Sequence, residues 1–219
     1  MTVKVIGAGL AGCEAAWQLA NAGIKVELCE MKPVKFTPAH KYKGFAELVC
    51  SNSLKAERIE SAAGLLKEEM RRLGSLTMLA AEATKVAAGG ALAVSREDFS
   101  DYVTEKINSH LNITVISGEI TEIPQGYVVI ATGPLTSEPL SKSIQSLIGT
   151  DYLYFHDAAA PIVTAESLDN SLVFGASRYG RGKADYLNCP MDKAQYTAFV
   201  EQLRTAEEAP VHGFEDKAV

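Results

Sequence analysis

The spacing of apolar positions changes along the chain, and each change marks an element. Val3-Lys4-Val5-Ile6 is a short run of strand formers, while Ile24-Lys25-Val26-Glu27-Leu28-Cys29-Glu30 alternates with period two through its middle and closes on an acid. Between them, Cys13-Glu14-Ala15-Ala16-Trp17-Gln18-Leu19-Ala20 is Ala-rich and stops near Gly23, so the opening of the chain predicts a βαβ unit. Residues 31–55 show no clean period and carry Pro33 and Pro38, which reads as loop. Leu65, Leu66, Glu69, Met70 and Leu73 recur at helical intervals before Gly74 and predict a helix over 62–73; residues 77–93 support no assignment.

Ser95-Arg96-Glu97-Asp98 resembles a capping box, and Phe99, Tyr102, Val103 and Ile107 form the stripe of the helix it would start. Asn112–Ser117 and Glu119–Ile123 predict short strands. Tyr127-Val128-Val129-Ile130-Ala131 predicts a fully buried strand stopped by Thr132-Gly133-Pro134. Beyond Pro139 the text turns to Ser, Asp and Tyr, with candidate strands at Tyr152–Phe155, Ile162–Thr164 and Leu172–Phe174. Asp192 then caps a helix with Tyr196, Phe199, Val200 and Leu203 on one side. The expected class is α/β: a Rossmann-like domain over 1–140 and the start of a smaller α+β insertion or substrate domain over 141–219.

Hydrophobic residues make up 47% and charged residues 22% of the 219, which supports a packed core and excludes disordered and low-complexity readings. No apolar run approaches the ~20 residues of a membrane span, and the residues after Met1 lack the pattern of a signal peptide. The expectation is a cytoplasmic protein with no membrane partner. The 21 basic and 27 acidic residues give a net charge of −6, against a generally cationic nucleic-acid binder. Locally the balance reverses: Lys32, Lys35, Lys41, Lys43, Lys55 and Arg58 face only Glu47 and Glu57 within 32–58, and Arg178, Arg181 and Lys183 cluster among glycines. Both stretches could meet phosphate. Cys13, Cys29, Cys50 and Cys189 contain no CxxC pair, and the histidines stand singly at 40, 110, 156 and 212, so neither a metal nor a disulfide framework is expected.

Chemistry enters at Gly7-Ala8-Gly9-Leu10-Ala11-Gly12, a GxGxxG run placed after a strand and before a helix, with Glu30 eighteen residues past the last glycine. Gly7 permits the turn, Gly9 lets backbone approach a diphosphate, and Gly12 lets helix pack on strand; Glu30 can accept ribose hydroxyls. Val128 to Pro134, a strand ending in Ala-Thr-Gly, is the turn that two-dinucleotide-binding flavoproteins bring to FAD, which adds Thr132 and Gly133 to the cofactor candidates.

The run Glu47-Leu48-Val49-Cys50-Ser51-Asn52-Ser53-Leu54-Lys55 occurs together with Gly89-Gly90-Ala91-Leu92-Ala93-Val94, Ala131 to Ser137, Asp151 to Phe155 and Tyr186-Leu187-Asn188-Cys189-Pro190-Met191. In these blocks the chain resembles the folate- and FAD-dependent tRNA uracil-5 methyltransferase family, TrmFO. The resemblance implies that FAD takes the one-carbon unit of methylenetetrahydrofolate and delivers it to C5 of a T-loop uridine, with NADH or NADPH as reductant. It implies a catalytic role for Cys50, as nucleophile or as acid/base, and tRNA contacts at Lys41, Lys43, Lys55, Arg178, Arg181 and Lys183, where the polyglutamate tail of folate is a rival anion. The family's second cysteine, in a Gly-Cys-Met-Pro-like segment, is not found, so the chain is expected to be an N-terminal half. A GidA-type wobble-uridine protein and a non-catalytic nucleotide- or RNA-binding fragment are the alternatives. A thiol suits the reaction, because C5 of uracil is poorly nucleophilic until a thiolate adds at C6. Lys43, Lys55 and His40 are neighbours that could favour the thiolate, with Ser51, Asn52 and Ser53 as donors. Cys13, Cys29 and Cys189 are read as packing residues.

Overall fold

A computed structural model describes residues 1–149, 163–177 and 183–207. The chain forms two compact units, Met1–Val86 with Ala91–Leu153, and Ala87–Gly90 with Tyr154–Val219. The boundary expected near residue 141 falls inside a helix of the first unit.

In the first unit β1 (Thr2–Ile6), α1 (Leu10–Asn21) and β2 (Lys25–Glu30) form the expected βαβ unit. β3 (Ser53–Ala56), α2 (Ala62–Arg72), α3 (Leu76–Ala83), β4 (Lys85–Val86) and β5 (Ala91–Val94) follow. The unit closes with α4 (Arg96–Ser109), β6 (Ile113–Ser117), β7 (Tyr127–Ile130) and α5 (Glu138–Ile148). Four strands make a wholly parallel sheet in the order β6-β2-β1-β7, and β3-β5-β4 make a small antiparallel one. From β1 the chain builds outward through β2 to β6 and then returns to add β7 on the other flank. The order therefore reverses between β1 and β7, the position at whose carboxyl ends ligands bind in open α/β sheets.

The core lies where α1, α3 and α4 meet the sheets. Val5, Val26 and Leu28 share one buried cluster with Ala16 and Ala20 of α1, Leu76 and Ala80 of α3, Leu92 and Val94 of β5, and Phe99, Val103 and Ile107 of α4. The small residues of α1 allow that helix to lie close on the sheet. Glu14, half-buried on α1, accepts hydrogen bonds from Ser75 Oγ (2.8 Å), Leu76 N (3.3 Å) and Thr77 N (3.0 Å), so it holds the amino end of α3. Burial alone would push its pKa up, but bonds from Gln18, Thr77 and Ser75 outweigh that and hold the carboxyl below its ordinary value.

Several expectations are corrected. Glu119–Ile123 is irregular: Glu119 pairs with Lys35, and Ile123 N donates to Ser143 Oγ rather than to a ladder. Among the described residues β7 is an edge strand with β1 as its neighbour, and Tyr127 is 66% and Ile130 38% exposed. Ser95 stands at the N-cap of α4 but makes no capping bond; Glu97 and Asp98 in the first turn offset the helix dipole instead. α2 buries Lys67, whose ammonium donates to the carbonyls of Ala56 and Ala63, and exposes Leu65 and Leu66, with Leu73 exposed at its C-cap. The strands expected at Tyr152–Phe155 and at the start of Ile162–Thr164 lie outside the described residues.

The second unit contains an antiparallel pair, β8 (Phe174–Ala176) and β9 (Tyr186–Asn188), and α6 (Lys193–Arg204), which begins in a full capping box between Asp192 and Gln195. Within this unit Tyr186 Oη donates to Ala88 O and Gly89 N to Asp185. Tyr196, Phe199, Val200 and Leu203 are all exposed, and Cys189 is exposed rather than packed. Among the described residues no helix is long and apolar enough to cross a membrane.

Candidate functional site

The carboxyl ends of β1 and β7 lie side by side, and each runs into one of the turns singled out by sequence. Gly7 turns with φ +96°, and a Cβ there would come within 2.8 Å of the Ala131 carbonyl oxygen. A Cβ on Gly12 would lie 1.8 Å from the carbonyl oxygen of Gly7, so only glycine lets α1 start this close to the turn. Ala131 N donates to Ile6 O at 2.8 Å, and Thr132 Oγ1 bonds Thr136 Oγ1, which in turn donates to Gly133 O, fixing the second turn beside the first.

Gly9 behaves differently. A Cβ there would meet nothing within 4 Å, and Gly9, Leu10 and Ala11 are exposed at the start of α1. The first-turn N–H groups and the positive end of the helix dipole thus border open space, an arrangement suited to a diphosphate. Ala8, by contrast, is buried: its N–H donates to Glu30 Oε2 at 2.7 Å, and Glu30 Oε1 accepts from Lys32 N at 2.9 Å. A carboxylate offers about four lone-pair positions, so Glu30, itself buried, keeps acceptor positions beyond those that hold the two amides.

The segment carrying Cys50 is anchored on this turn. Ala46 N donates to Ala8 O at 2.8 Å, Phe45 N donates to Thr104 Oγ1 at 2.8 Å, and Ser100 Oγ donates to Phe45 O. Phe45, Ala46 and Leu48 are buried in the main core. Cys50, four residues further on, is exposed, and an extended chain of that length reaches at most about 14 Å from Ala46. Beyond it the chain is caught again: Asn52 Nδ2 donates to Val94 O, and Val94 N to Asn52 O, each at 3.0 Å.

The expected helpers of Cys50 have local duties. Ser51 Oγ accepts from Ser53 N and Ser53 Oγ from Lys55 N. His40 Nδ1 lies 2.6 Å from Thr37 Oγ1, and burial, then the charge of Lys32, holds this imidazole below its ordinary range. Burial pushes the Cys13 and Cys29 thiols up, consistent with packing roles for both.

The basic stretch is only partly a surface. Lys41, Lys43 and Lys55 are exposed, whereas Lys32 is buried and Lys35 is paired with Glu119 at 2.7 Å. Tyr42, between two of these lysines, donates to Asp101 at 2.6 Å, and that bond, with burial and the charges of Asp101, Glu97 and Asp98, pushes its hydroxyl up to about 12. The loop thus stands beside an acidic turn of α4. Lys183 is exposed in the second unit; Arg178 and Arg181 lie outside the described residues. Sequence reasoning missed the buried pair of Lys32 with Glu47; the only signal was the position of Lys32, two residues after the acid that ends β2.

The chain matches the family described as "Glucose inhibited division protein A" over residues 2–219. It is 61% identical to the "Methylenetetrahydrofolate--tRNA-(uracil-5-)-methyltransferase TrmFO" of Heliobacterium modesticaldum over 98% of this chain and 49% of that protein. It is 60% identical to the protein of the same name from Pelobacter propionicus, over 98% of this chain and 47% of that one. The chain spans about half the length of the curated relatives it matches. Among solved structures, a variant of NikD, an unusual amino acid oxidase essential for nikkomycin biosynthesis, overlaps at a TM-score of 0.40 and 15% identity over 64% of this chain and 52% of that one, a likeness too slight to bear on the argument.

Proposed function

The chain belongs to the glucose inhibited division protein A family, and from that footing we propose that it is part of a protein that methylates C5 of a T-loop uridine in tRNA with methylenetetrahydrofolate and FAD. The carrying observation is the identity of about 60% to relatives that bear the tRNA uracil-5 methyltransferase name, across 98% of the chain. The geometry supports it, because the open first turn of α1, the carboxylate of Glu30 and the Thr132–Gly133 turn gather at one sheet edge within chain reach of Cys50.

In this reading the N–H groups of Gly9, Leu10 and Ala11 bind the diphosphate, Glu30 accepts the ribose hydroxyls, and Thr132 and Gly133 border the cofactor on the β7 side, with Gly7, Ala8 and Gly12 shaping the turn. When bound, FAD supplies the redox chemistry of one-carbon transfer, recharged by NADH or NADPH. Cys50 acts on the base, either as the sulfur that adds at C6, moving the C5–C6 electron pair toward the C4 carbonyl, or as the group that takes the C5 proton. Lys41, Lys43 and Lys55, with Arg178, Arg181 and Lys183, meet phosphates of the RNA or the anionic tail of the folate. The second unit is the start of a substrate domain, and the protein works in the cytoplasm.

The test is methyl transfer from methylenetetrahydrofolate to unmodified tRNA by the full-length gene product. Cys50→Ala is expected to abolish it with flavin still bound; full turnover by that variant removes Cys50 from the reaction. The family description favours one second reading, wobble-uridine modification of the GidA type. Modification of an anticodon position, with an untouched T-loop, would establish it instead.

A further inference from the structure

Lys32 has the surroundings of a mechanical joint rather than of a surface cation. It is 6% exposed, and its ammonium donates to the carbonyls of Tyr42 (3.0 Å) and Gly44 (2.6 Å) and to Glu47 Oε2 (3.3 Å). An ammonium has three donors, and three acceptors surround this one. Glu47 continues the joint, its Oε1 accepting from the amides of Lys41 and Tyr42. At its other end Lys32 is tied by its own amide to Glu30, which holds Ala8 of the glycine turn, and Ala8 in turn accepts from Ala46. The contacts close a ring: glycine turn, Glu30, Lys32, the 41–47 loop, and the glycine turn again.

The ring opens onto Cys50. Among the described residues, the non-glycine positions with left-handed φ are Ala46 (49°) and Lys55 (67°), one on each side of Cys50. Such conformations persist only where surrounding contacts over-determine them. At Ala46 those contacts are the ring itself. Nothing in the sheet needs a buried ammonium, since β2 has ended at Glu30, and burying one is costly unless every donor is matched.

We propose that Lys32 is a positioning residue that couples occupancy of the glycine-turn site, through Glu30, to the placement of Cys50. The inference rests on the reading of that site as an FAD site. A ligand that engages Glu30 pulls on the amide of Lys32, whose side chain carries the 41–47 loop, and the loop carries Cys50. Lys32 touches neither the reacting atoms nor the flavin in this account.

The test measures the alkylation rate of Cys50 by iodoacetamide in the full-length protein, with and without FAD, mapped by peptide mass spectrometry because Cys189 is also exposed. In the wild type, FAD is expected to change the Cys50 rate by about fivefold or more, the lower end of ordinary coupling between sites, and to leave Cys189 unchanged. In Lys32→Met, flavin absorbance is retained and the Cys50 response falls below about twofold, whereas Lys32→Arg recovers part of it. Should Lys32→Met fail to fold, Glu47→Gln, which keeps the shape and removes the charged partner, is expected to weaken the response in the same direction. A wild-type protein that binds FAD without changing Cys50, or variants that fold and respond as the wild type does, overturn the role of Lys32. A wild-type protein that retains no flavin sinks the functional reading itself.

Discussion

Gly12→Ala is the sharpest perturbation of the glycine turn. The new Cβ would stand 1.8 Å from the carbonyl oxygen of Gly7, 2.9 Å from its carbon and 3.4 Å from Ala131 Cβ. The first two atoms are backbone of a turn pinned by hydrogen bonds from Gly7 N to Cys29 O and from Ala131 N to Ile6 O, so relief requires α1 to move off the sheet by more than 1 Å, as a rough estimate from ordinary packing distances. Overpacking of a filled site costs about 1–3 kcal/mol, and a rigid neighbour puts this case at the upper end. The usual helix gain of replacing Gly by Ala, about 1 kcal/mol, acts the other way. The net expectation is a loss of about 2 kcal/mol, or a fall in Tm of about 4–8 °C for a chain of this size. Gly9→Val is the matched control, because φ is −73° and a Cβ there meets nothing within 4 Å. With flavin stripped from both proteins, so that ligand stabilisation does not enter the comparison, it should leave Tm within about 2 °C, and it should fail to rebind flavin. Thermal unfolding followed by circular dichroism, with flavin absorbance after FAD is added back, reads both. An unchanged Tm in Gly12→Ala, or a Gly9→Val protein that unfolds early, would refute the packing argument.

Two further outcomes follow from the electrostatics. Glu14 is held below the ordinary glutamate range in the folded chain, so its contribution is complete above that range and is lost as pH falls through the lower folded value. Glu14→Gln should cost about 1 kcal/mol at neutral pH, as loss of a helix cap does, and the wild-type and variant stability curves should converge only as pH falls below the lowered folded value; parallel curves would contradict it. Ultraviolet titration should show Tyr42 ionising near pH 12, and Asp101→Asn should return it toward about 10. Identical titration curves in the two proteins would show that the Tyr42–Asp101 bond does not form.

The βαβ unit and both turns of the site were legible because their signals are local: period-two alternation, an Ala-rich segment and glycines whose missing Cβ atoms are needed where they stand. The 41–50 loop was not, because it is held by the side chains of Lys32 and Glu47 on backbone groups of Lys41, Tyr42 and Gly44, and no periodicity encodes such bonds. Lys32 reads in sequence as one more base on a positive stretch. The apolar stripe read over 62–73 shows the same limit, since the Lys67 ammonium lies buried on two carbonyls while Leu65 and Leu66 remain exposed. β7 looked buried because its residues are apolar; its position at the sheet edge is a property of topology, not of composition.

A crystal structure of the full-length protein with FAD tests the central claim most directly. The account predicts the diphosphate on the first-turn amides of α1, the ribose on Glu30, and the flavin ring on the Cys50 side of the glycine turn. A diphosphate bound elsewhere, or a ring directed away from residues 46–50, would contradict it.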